Sequence, residues 1–366
     1  MNITFFITSL GGGGAERVLS DLANNMVQRG CSVDIVVLRG DQKQYELVSD
    51  VRIIYLQPEY YKSQKTRFYR LAEISKVRSF LKGLHKDDLL VSFLELPMAY
   101  SLVFRNRFKS KLIICERSNP ARYSKAYQRL FRYLSKRADG CACQTKFVAN
   151  WYSNFVGDRC LIKVIPNALS DSLNQVELKK NLITKIVTAG RLVPVKNHNL
   201  LLDAFAVVHK SFPNSELVIY GEGPLRQVLE NKAMSMGLGE CVLFPGFAQN
   251  IVGCIKDASV FVLSSDYEGM PNALAEAMAI GLPCVSTDYD GGGVHELIEN
   301  NVNGIIVPCN DCDSMSSAII SILNNKEMAD RIGDNARLIK DRLNHEFICQ
   351  QWYSLFCDVI DNNNVK

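Results

Sequence analysis

The sequence alternates along nearly its whole length between short apolar, β-branched runs and amphipathic helical segments. The first half has predicted strands at residues 3–8, 32–38, 51–56, 89–93, 112–115, 138–144 and 162–165. The second half has predicted strands at residues 185–189, 216–220, 241–244, 260–264, 283–286 and 304–307. Because such alternation produces parallel sheets covered by helices on both faces, it predicts an α/β fold.

A polar stretch at residues 170–185 interrupts the alternation, which then restarts. The 366 residues are also too many for one small domain. We therefore predict two doubly wound, Rossmann-like domains facing across a cleft, at residues 1–168 and 169–345. Residues 346–366 hold an amphipathic helix, expected to pack back on the first domain, and a short polar tail.

The charge is distributed unevenly between the two halves. Residues 1–170 contain 27 basic and 14 acidic residues, whereas residues 171–366 contain 15 and 24. Most of the excess lies at residues 60–137, with 19 basic and 5 acidic residues. A basic half attracts nucleic acid, acidic lipid head groups or phosphorylated substrates. Nucleic acid is the weakest of these alternatives, since no nucleic-acid-binding motif is present.

Neither the hydropathy nor the cysteines indicate a membrane span or a metal. No uncharged apolar run approaches the ~20 residues that a membrane span needs. The N-terminus has no basic region before its apolar residues, so we interpret it as a strand and not as a signal peptide. The twelve cysteines include lone pairs at 141/143 and 309/312, without a second pair or a histidine at zinc spacing. We expect structural thiols in a reducing compartment, no metal, and structural roles for His198 and His295 with ring nitrogens bonded to backbone.

The glycine run at residues 11–14 lies between the first strand and the first helix. Glycines there let the backbone approach an anion at a helix N-terminus. The run lacks the spacing of the dinucleotide fingerprint, although Asp34 keeps NAD binding as a weak alternative. A purely structural turn is a further alternative.

Two segments of the second half carry the strongest chemical signals. Arg191 and Lys196 follow its first strand, where two cations suit the phosphates of a nucleotide diphosphate; a solvated surface pair is the alternative. Glu268 and Glu276 flank the start of a small, apolar helix. Backbone donors of that segment favour an anion, and a buried Glu276 would suit ribose hydroxyls. The segment between them comprises Met270, Pro271, Asn272, Ala273 and Leu274.

Together these motifs resemble the retaining glycosyltransferases of family 4, which have the GT-B fold. The matching pieces are Gly-Gly-Ala-Glu-Arg at 13–17, Val-Ile-Pro-Asn at 164–167, Gly-Arg-Leu at 190–192 with Lys196, Gly-Glu-Gly-Pro at 221–224, Pro-Gly-Phe at 245–247, and Glu-x7-Glu at 268 and 276. They span nearly the whole chain, and the set in this order is specific.

The resemblance implies a role for each matching residue. Arg191 and Lys196 would bind the donor diphosphate, and Gly13 and Gly14 would let the first domain close on it. Glu268 would lie beside the transferred sugar with a catalytic role shared with Arg191 and Lys196. The other donor-binding residues would be Phe247 near the nucleobase, Met270, Pro271, Asn272, Ala273 and Leu274 at the helix start, and Glu276 at the ribose. Such enzymes need no metal or other cofactor, because the cations stabilise the leaving group.

One segment departs from the family pattern. Many relatives carry a histidine after the strand that corresponds to 112–115, whereas this chain has Cys-Glu-Arg-Ser-Asn-Pro at 115–120. The residues that could take its place on the acceptor side are Glu116, Arg117 and Asn119, together with Glu16 and Arg17 of the first helix.

The resulting hypothesis is a UDP-sugar-dependent transferase, favouring N-acetylhexosamine such as GalNAc or GlcNAc, that builds O-antigen, lipopolysaccharide or capsule. The acceptor would be an undecaprenyl-diphosphate-linked glycan. The basic helices at 62–82 and 120–137 would hold a cytoplasmic protein against the anionic inner membrane, unless they are ordinary solvated faces. The alternatives are a GDP-mannose or UDP-hexose transferase of exopolysaccharide synthesis and, less favoured, a nucleotide-sugar epimerase.

Overall fold

The computed structural model describes residues 1–11, 13–57, 59, 67–157, 159–170, 173, 176, 178 and 183–361, without the side chains of 67 and 68. Contacts divide the chain into two compact units, one of Met1–Ala168 with Glu346–Lys366 and one of Leu169–His345. The predicted tail from residue 362, the basic segment at 60–66 and much of the predicted linker at 170–185 lie outside the described residues.

Within the described residues, the first unit has a seven-stranded parallel sheet of order β3-β2-β1-β4-β5-β6-β7. Its strands are β1 (Asn2–Ile7), β2 (Ser32–Val37), β3 (Val51–Tyr55), β4 (Asp88–Phe93), β5 (Lys111–Glu116), β6 (Gly140–Cys143) and β7 (Leu161–Val164). The central strands β1, β4 and β5 are buried on both faces, as parallel strands between two helical layers should be. The chain order reverses between β1 and β4.

The helices of this unit are α1 (Gly14–Gln28), α2 (Arg67–Lys82), α3 (Glu95–Val103), α4 (Lys125–Leu134) and α5 (Lys146–Ser153). The helix predicted at 120–137 is broken, because Asn119 caps a short 3-10 turn and Ser124 caps α4 separately. The sequence of α2 places Leu71, Ile74, Val77 and Leu81 on one apolar helical stripe and so predicts that they are buried together, but only Val77 and Leu81 are buried. Leu71 and Ile74 are exposed, whereas Glu73 is buried against Arg39 and Tyr100.

Within the described residues, the second unit has a six-stranded parallel sheet of order β10-β9-β8-β11-β12-β13. Its strands are β8 (Thr184–Ala189), β9 (Ser215–Tyr220), β10 (Val242–Gly246), β11 (Val260–Leu263), β12 (Cys284–Thr287) and β13 (Ile305–Val307). Its helices are α6 (His198–Ser211), α7 (Arg226–Ser235), α8 (Ile251–Ile255), α9 (Asn272–Ala279), α10 (Gly293–Leu297), α11 (Cys312–Asn324), α12 (Lys326–Arg337) and α13 (Ile339–Arg342). Both sheets confirm the predicted doubly wound α/β fold.

The last helix, α14 (His345–Asp361), packs on the sheet of the first unit. Trp352 stacks on Phe93 of β4 with ring centroids 5.9 Å apart, and Phe356 lies 6.4 Å from Phe5 of β1. These aromatic rings close one face of that sheet's core.

All twelve cysteines lie within the described residues and are free. Cys115, Cys141 and Cys160 in the first unit and Cys284 in the second are buried. Burial raises the pKa of each of these thiols, to about 12 for Cys160. They therefore behave as small core residues.

Candidate active site

The candidate site lies at the carboxyl ends of β8 and β11, which are neighbours in the second sheet. From β8 the chain proceeds outward to β9 and β10, and it then returns to β11 on the other side. Ligands of doubly wound sheets bind at this reversal, because the loops after the two strands leave in opposite directions. Arg191 and Lys196 follow β8, and Glu268 follows β11.

Hydrogen bonds fasten these two loops to each other. Asn197 adopts left-handed backbone angles, with φ 43°, and its side-chain amide donates to Asp266 at 2.8 Å. The Ser264 hydroxyl donates to the Lys196 carbonyl at 2.9 Å, and the Asp266 amide donates to the Val195 carbonyl at 2.9 Å. The loop that carries the cation and the loop that carries the carboxylate are therefore held as one assembly.

The ammonium of Lys196 forms an ion pair with the Glu268 carboxylate, and both side chains are largely buried. Oε1 of Glu268 accepts this bond and a second one from the Ser265 hydroxyl at 2.8 Å. Ser265 is itself fixed, since its carbonyl accepts from the Thr287 hydroxyl. Oε2 of Glu268 has no hydrogen-bond partner within the described part of the chain, so it is the oxygen that a ligand hydroxyl can use.

Other predicted donor residues remain at the surface. Arg191 is exposed, and its guanidinium has no partner among the residues that the structure describes. Phe247, which follows β10, is 59% exposed. An unpaired cation and an exposed ring are groups that a phosphate and a planar base can contact.

Helix α9 begins at Asn272, after Pro271, as predicted. Its first turn contains half-buried Asn272 and Ala273 and buried Leu274, while Met270 and Pro271 just before it are buried. Glu276 lies in the second turn and is only 7% exposed. The start of α9 therefore combines backbone N–H groups of a helix N-terminus, which favour an anion, with a buried carboxylate one turn further on.

Two glycines of the Gly-Glu-Gly-Pro motif let the loop after β9 pack on the loop after β8. Gly221 has φ +135°, and a Cβ there would lie 2.0 Å from the Gly190 carbonyl oxygen. A Cβ on Gly223 would lie 2.4 Å from the Leu192 carbonyl oxygen. Any side chain at either position would push away the loop that carries Arg191.

His198, the first residue of α6, is 4% exposed. Burial and, to a smaller extent, the Lys196 charge lower the pKa of its imidazole to about 4, while a backbone interaction with Arg191 opposes the change. The expected backbone partner is the Arg191 main chain, but the contact is weak, because neither ring nitrogen meets any described residue in normal hydrogen-bond geometry. His198 is thus a neutral, buried ring beside the cation loop.

The glycine loop of the first unit leads into α1, with Gly12 outside the described residues. A Cβ on Gly13 would lie 2.1 Å from Oε2 of Glu16, whose carboxylate accepts from Ser9. Gly14 begins α1, and Arg17 lies in its first turn. Asp34 does not suit a dinucleotide ribose, because it lies inside β2 and forms an ion pair with Arg52.

Glu116, the last residue of β5, and Arg117 and Asn119 just after it are buried. Glu116 has no exposed surface, and its carboxylate accepts from the Ser118 amide and from the hydroxyls of Ser118, Tyr123 and Tyr152. Burial raises the pKa of Glu116, while these hydrogen bonds oppose the rise. Asn119 is 1% exposed and accepts from the Ala121 amide. In this structure both side chains hold the loop, and an acceptor hydroxyl reaches Glu116 only if this shell opens.

Sequence reasoning missed the residues that position the site. Ser265, Asn197 and Thr287 carry no motif signal of their own, and only the folded loops show which groups they contact.

No group of three or more His, Cys, Asp or Glu residues within the described ranges could hold a metal ion. No described helix is long and apolar enough to cross a membrane.

Comparison with known proteins identifies the class. Residues 12–173 match the family model described as Glycosyltransferase Family 4, and residues 171–339 match Glycosyl transferases group 1. Solved GT-B structures share the fold. HepE of Anabaena in complex with UDP has a TM-score of 0.78 at 19% identity, covering 98% of this chain and 100% of that one. A TarM variant of S. aureus bound to ligands that include UDP has a TM-score of 0.79 at 15% identity, covering 97% and 100%.

Curated relatives match over the full length. The chain is 30% identical to a Campylobacter jejuni enzyme, the GalNAc-alpha-(1->4)-GalNAc-alpha-(1->3)-diNAcBac-PP-undecaprenol alpha-1,4-N-acetyl-D-galactosaminyltransferase, over 98% of this chain and 99% of that one. It is 26% identical to an uncharacterized glycosyltransferase of Haemophilus influenzae, over 96% and 98%. The chain is therefore a glycosyltransferase of the GT-B fold and belongs to glycosyltransferase family 4.

Proposed function

We propose that this glycosyltransferase moves an N-acetylhexosamine, with retention, from a UDP-sugar to a diphosphate-linked lipid glycan in surface-polysaccharide synthesis. The observation that carries the proposal is the Lys196–Glu268 pair at the reversal of the second sheet, beside Arg191, whose guanidinium no described residue binds. The C. jejuni relative named for GalNAc and PP-undecaprenol supports the sugar and acceptor class. The UDP complexes of HepE and TarM support the nucleotide.

Charge separation explains why these residues suit sugar transfer. As the bond between C1 and the β-phosphate oxygen breaks, negative charge grows on the phosphate and positive charge on the sugar ring. Arg191 and Lys196 would stabilise the phosphate, and Glu268 would stabilise the ring through the Oε2 oxygen that has no partner within the described residues. Lys196 touches Glu268 and would also touch the phosphate, so one ammonium links the two developing charges.

The remaining donor contacts follow from the same edge of the sheet. The amides at the start of α9, in residues 270–274, would bind sugar or phosphate oxygens, and Glu276 would accept the ribose hydroxyls. Phe247 would lie against the base. Because Arg191 and Lys196 supply two positive charges at the leaving group, we propose that catalysis needs no divalent metal.

A basic, partly apolar surface of the first unit would hold the protein against an anionic membrane. Arg129 and Arg132 of α4 and Lys136, just after it, are exposed, and the Lys136 ammonium lies 4.6 Å from the ring centroid of Tyr133, which is 63% exposed. Arg132 lies over the Trp151 ring of α5. Aromatic rings beside cations are typical of membrane interfaces.

The direct test is transfer by the full chain from each of UDP-GalNAc, UDP-GlcNAc, UDP-glucose and GDP-mannose to a prenyl-diphosphate-linked GalNAc. We expect a UDP-N-acetylhexosamine to be the preferred donor, and NMR of the product to show the donor's α configuration. Preference for GDP-mannose, or an inverted product, would overturn the proposal. Isomerisation of the donor without transfer would instead identify an epimerase.

The site assignment has its own test. Glu276→Ala removes a partner of the ribose hydroxyls, and losing a hydrogen bond to a charged group costs about 1.5–3 kcal/mol, so UDP affinity should fall about 10- to 150-fold. The matched control is Glu327→Ala, which removes an exposed glutamate of α12. Equal UDP affinity in the two folded variants would refute the role of Glu276.

A further inference from the structure

Arg117, the first residue after β5, is a cation inside the first unit. Its side chain is 8% exposed, and its Nη1 donates to the Ile165 carbonyl at 3.1 Å and to the Asn167 side chain at 3.4 Å. Its guanidinium carbon lies 5.0 Å from the ring centroid of Trp352 and 5.6 Å from that of Phe93. The aromatic faces and the Nη1 bonds fix the plane of the guanidinium.

The other edge of this guanidinium is unused. Nε and Nη2 are buried, and neither has a hydrogen-bond partner within the residues that the structure describes. The neighbouring Glu116 does not supply one, since its oxygens accept from Ser118, Tyr123 and Tyr152 and from the backbone amide of Arg117. Burial lowers the pKa of Arg117, but a guanidinium keeps its proton in proteins. A fixed charge is therefore buried with no anion from the described residues on its bidentate edge, which is costly.

The geometry of this edge selects its ligand. The Nε–H and Nη2–H bonds run parallel and match two oxygens of one phosphate group. The edge also lies after β5, which pairs with β4 beside the reversal between β1 and β4. Leu94, the residue that follows Phe93, has φ 71° and ψ 164°, a region that costs energy for any residue but glycine and is concentrated at functional sites.

We propose that the Nε–Nη2 edge of Arg117, which is buried in this structure and is reached when the surrounding side chains open, binds a phosphate group of the acceptor's lipid diphosphate. The proposal rests on the proposed function, in which both substrates carry diphosphates. The donor diphosphate is assigned to Arg191 and Lys196 of the second unit. The acceptor diphosphate is then expected to bind a cation of the first unit. A purely structural role accounts for the Nη1 bonds to residues 165–167 but not for the free edge.

The test uses the full chain and geranyl diphosphate, with UDP at saturation so that the donor site is filled. Arg117→Lys keeps the charge but loses the paired N–H edge, and Arg117→Met keeps only apolar contact with the two rings and loses both. We expect geranyl diphosphate to bind the wild type, binding to fall at least tenfold in the lysine variant, and binding to be lost in the methionine variant. Geraniol, which lacks the diphosphate, should not bind. The control Arg107→Met removes an exposed arginine of the same unit and should bind as the wild type does.

Three results would overturn the proposal. One is equal affinity for geranyl diphosphate in the wild type and the lysine variant, which keeps the outcome decisive even if the methionine variant does not fold. Another is no binding to the UDP-saturated wild type. The third is a lysine variant that loses affinity for UDP but binds geranyl diphosphate as tightly as the wild type does. That result would mean that the Nε–Nη2 edge binds the donor. Transfer from UDP-sugars that persists alongside any of these results would leave the proposed function standing.

Discussion

The buried imidazole of His198 makes the stability of the second unit depend on pH. The pKa of this ring is about 4 in the folded chain and 6.5 when it is exposed. Below pH 6.5 the unfolded chain binds a proton that the folded chain resists, so the folded state loses stability as the pH falls from about 7 toward 4. Above pH 7 both states are neutral and the ring contributes no pH dependence.

The size of the effect follows from the difference of the two pKa values. Each pKa unit corresponds to about 1.4 kcal/mol, so the full loss is about 3 kcal/mol, and about 2 kcal/mol of it occurs between pH 7.5 and pH 5. For a unit of this size, that corresponds to about 4–8 °C in Tm. The variant His198→Leu cannot titrate, and it should therefore lose less Tm than the wild type over this interval.

The assay is thermal unfolding of both proteins at pH 7.5 and pH 5, followed by circular dichroism. Groups common to both proteins cancel in the difference of their Tm values, so the difference isolates the imidazole. The control His85→Leu removes an exposed histidine of the first unit and should follow the wild type. If the Tm difference between His198→Leu and the wild type is the same at both pH values, the reasoning is refuted.

Three other predictions concern activity. Lys196→Ala should lower kcat by about 10²–10³ with a smaller effect on KM, because the contact of Lys196 strengthens as the leaving group gains charge; a change in KM alone would indicate that Lys196 binds the ground state and the transition state equally. Wild-type turnover should survive EDTA. Loss of activity with EDTA would contradict the metal-free mechanism. Ser265→Ala should lower kcat about tenfold by freeing the Glu268 carboxylate, whereas unchanged kinetics would mean that Lys196 alone fixes it. Charge reversal at Arg129, Arg132 and Lys136 should weaken salt-sensitive co-sedimentation with anionic vesicles, because each residue contributes about 1 kcal/mol at most to vesicle binding. The same variant should still transfer sugar to a soluble acceptor. If the wild type does not bind vesicles at low salt, these residues form an ordinary solvated surface.

The sheets were predictable because their strands are continuous apolar runs, buried on both faces. Such runs are visible in the sequence without knowledge of their partners. The start of α9 was predictable for a similar reason, since Pro271 and Asn272 are local signals of a helix N-terminus.

The inner face of α2 was not predictable, because it depends on distant partners. Its stripe of Leu71, Ile74, Val77 and Leu81 suggests one buried face, yet the helix buries Glu73 in place of the first two. Arg39 and Tyr100, far away in the chain, bind that carboxylate. Burying a charge is favourable only with such partners, and a single-sequence pattern does not contain them.

The same reason limits the prediction of the site. Motifs placed Arg191, Lys196, Glu268 and Glu276 at the edge of one sheet. The ion pair between Lys196 and Glu268, however, is a property of the folded loops. The assignment of Ser265 to Oε1 of Glu268 is likewise visible only in three dimensions.

The accessibility of the buried thiols can be used to follow the unfolding of each unit of this protein. Cys115, Cys141 and Cys160 report on the first unit, and Cys284 reports on the second. Since burial both hides these thiols and keeps them protonated, an alkylating reagent modifies them only after their unit opens. Mass spectrometry of peptides alkylated during mild denaturation therefore gives the order in which the two units come apart, without a fluorescent label or an engineered residue.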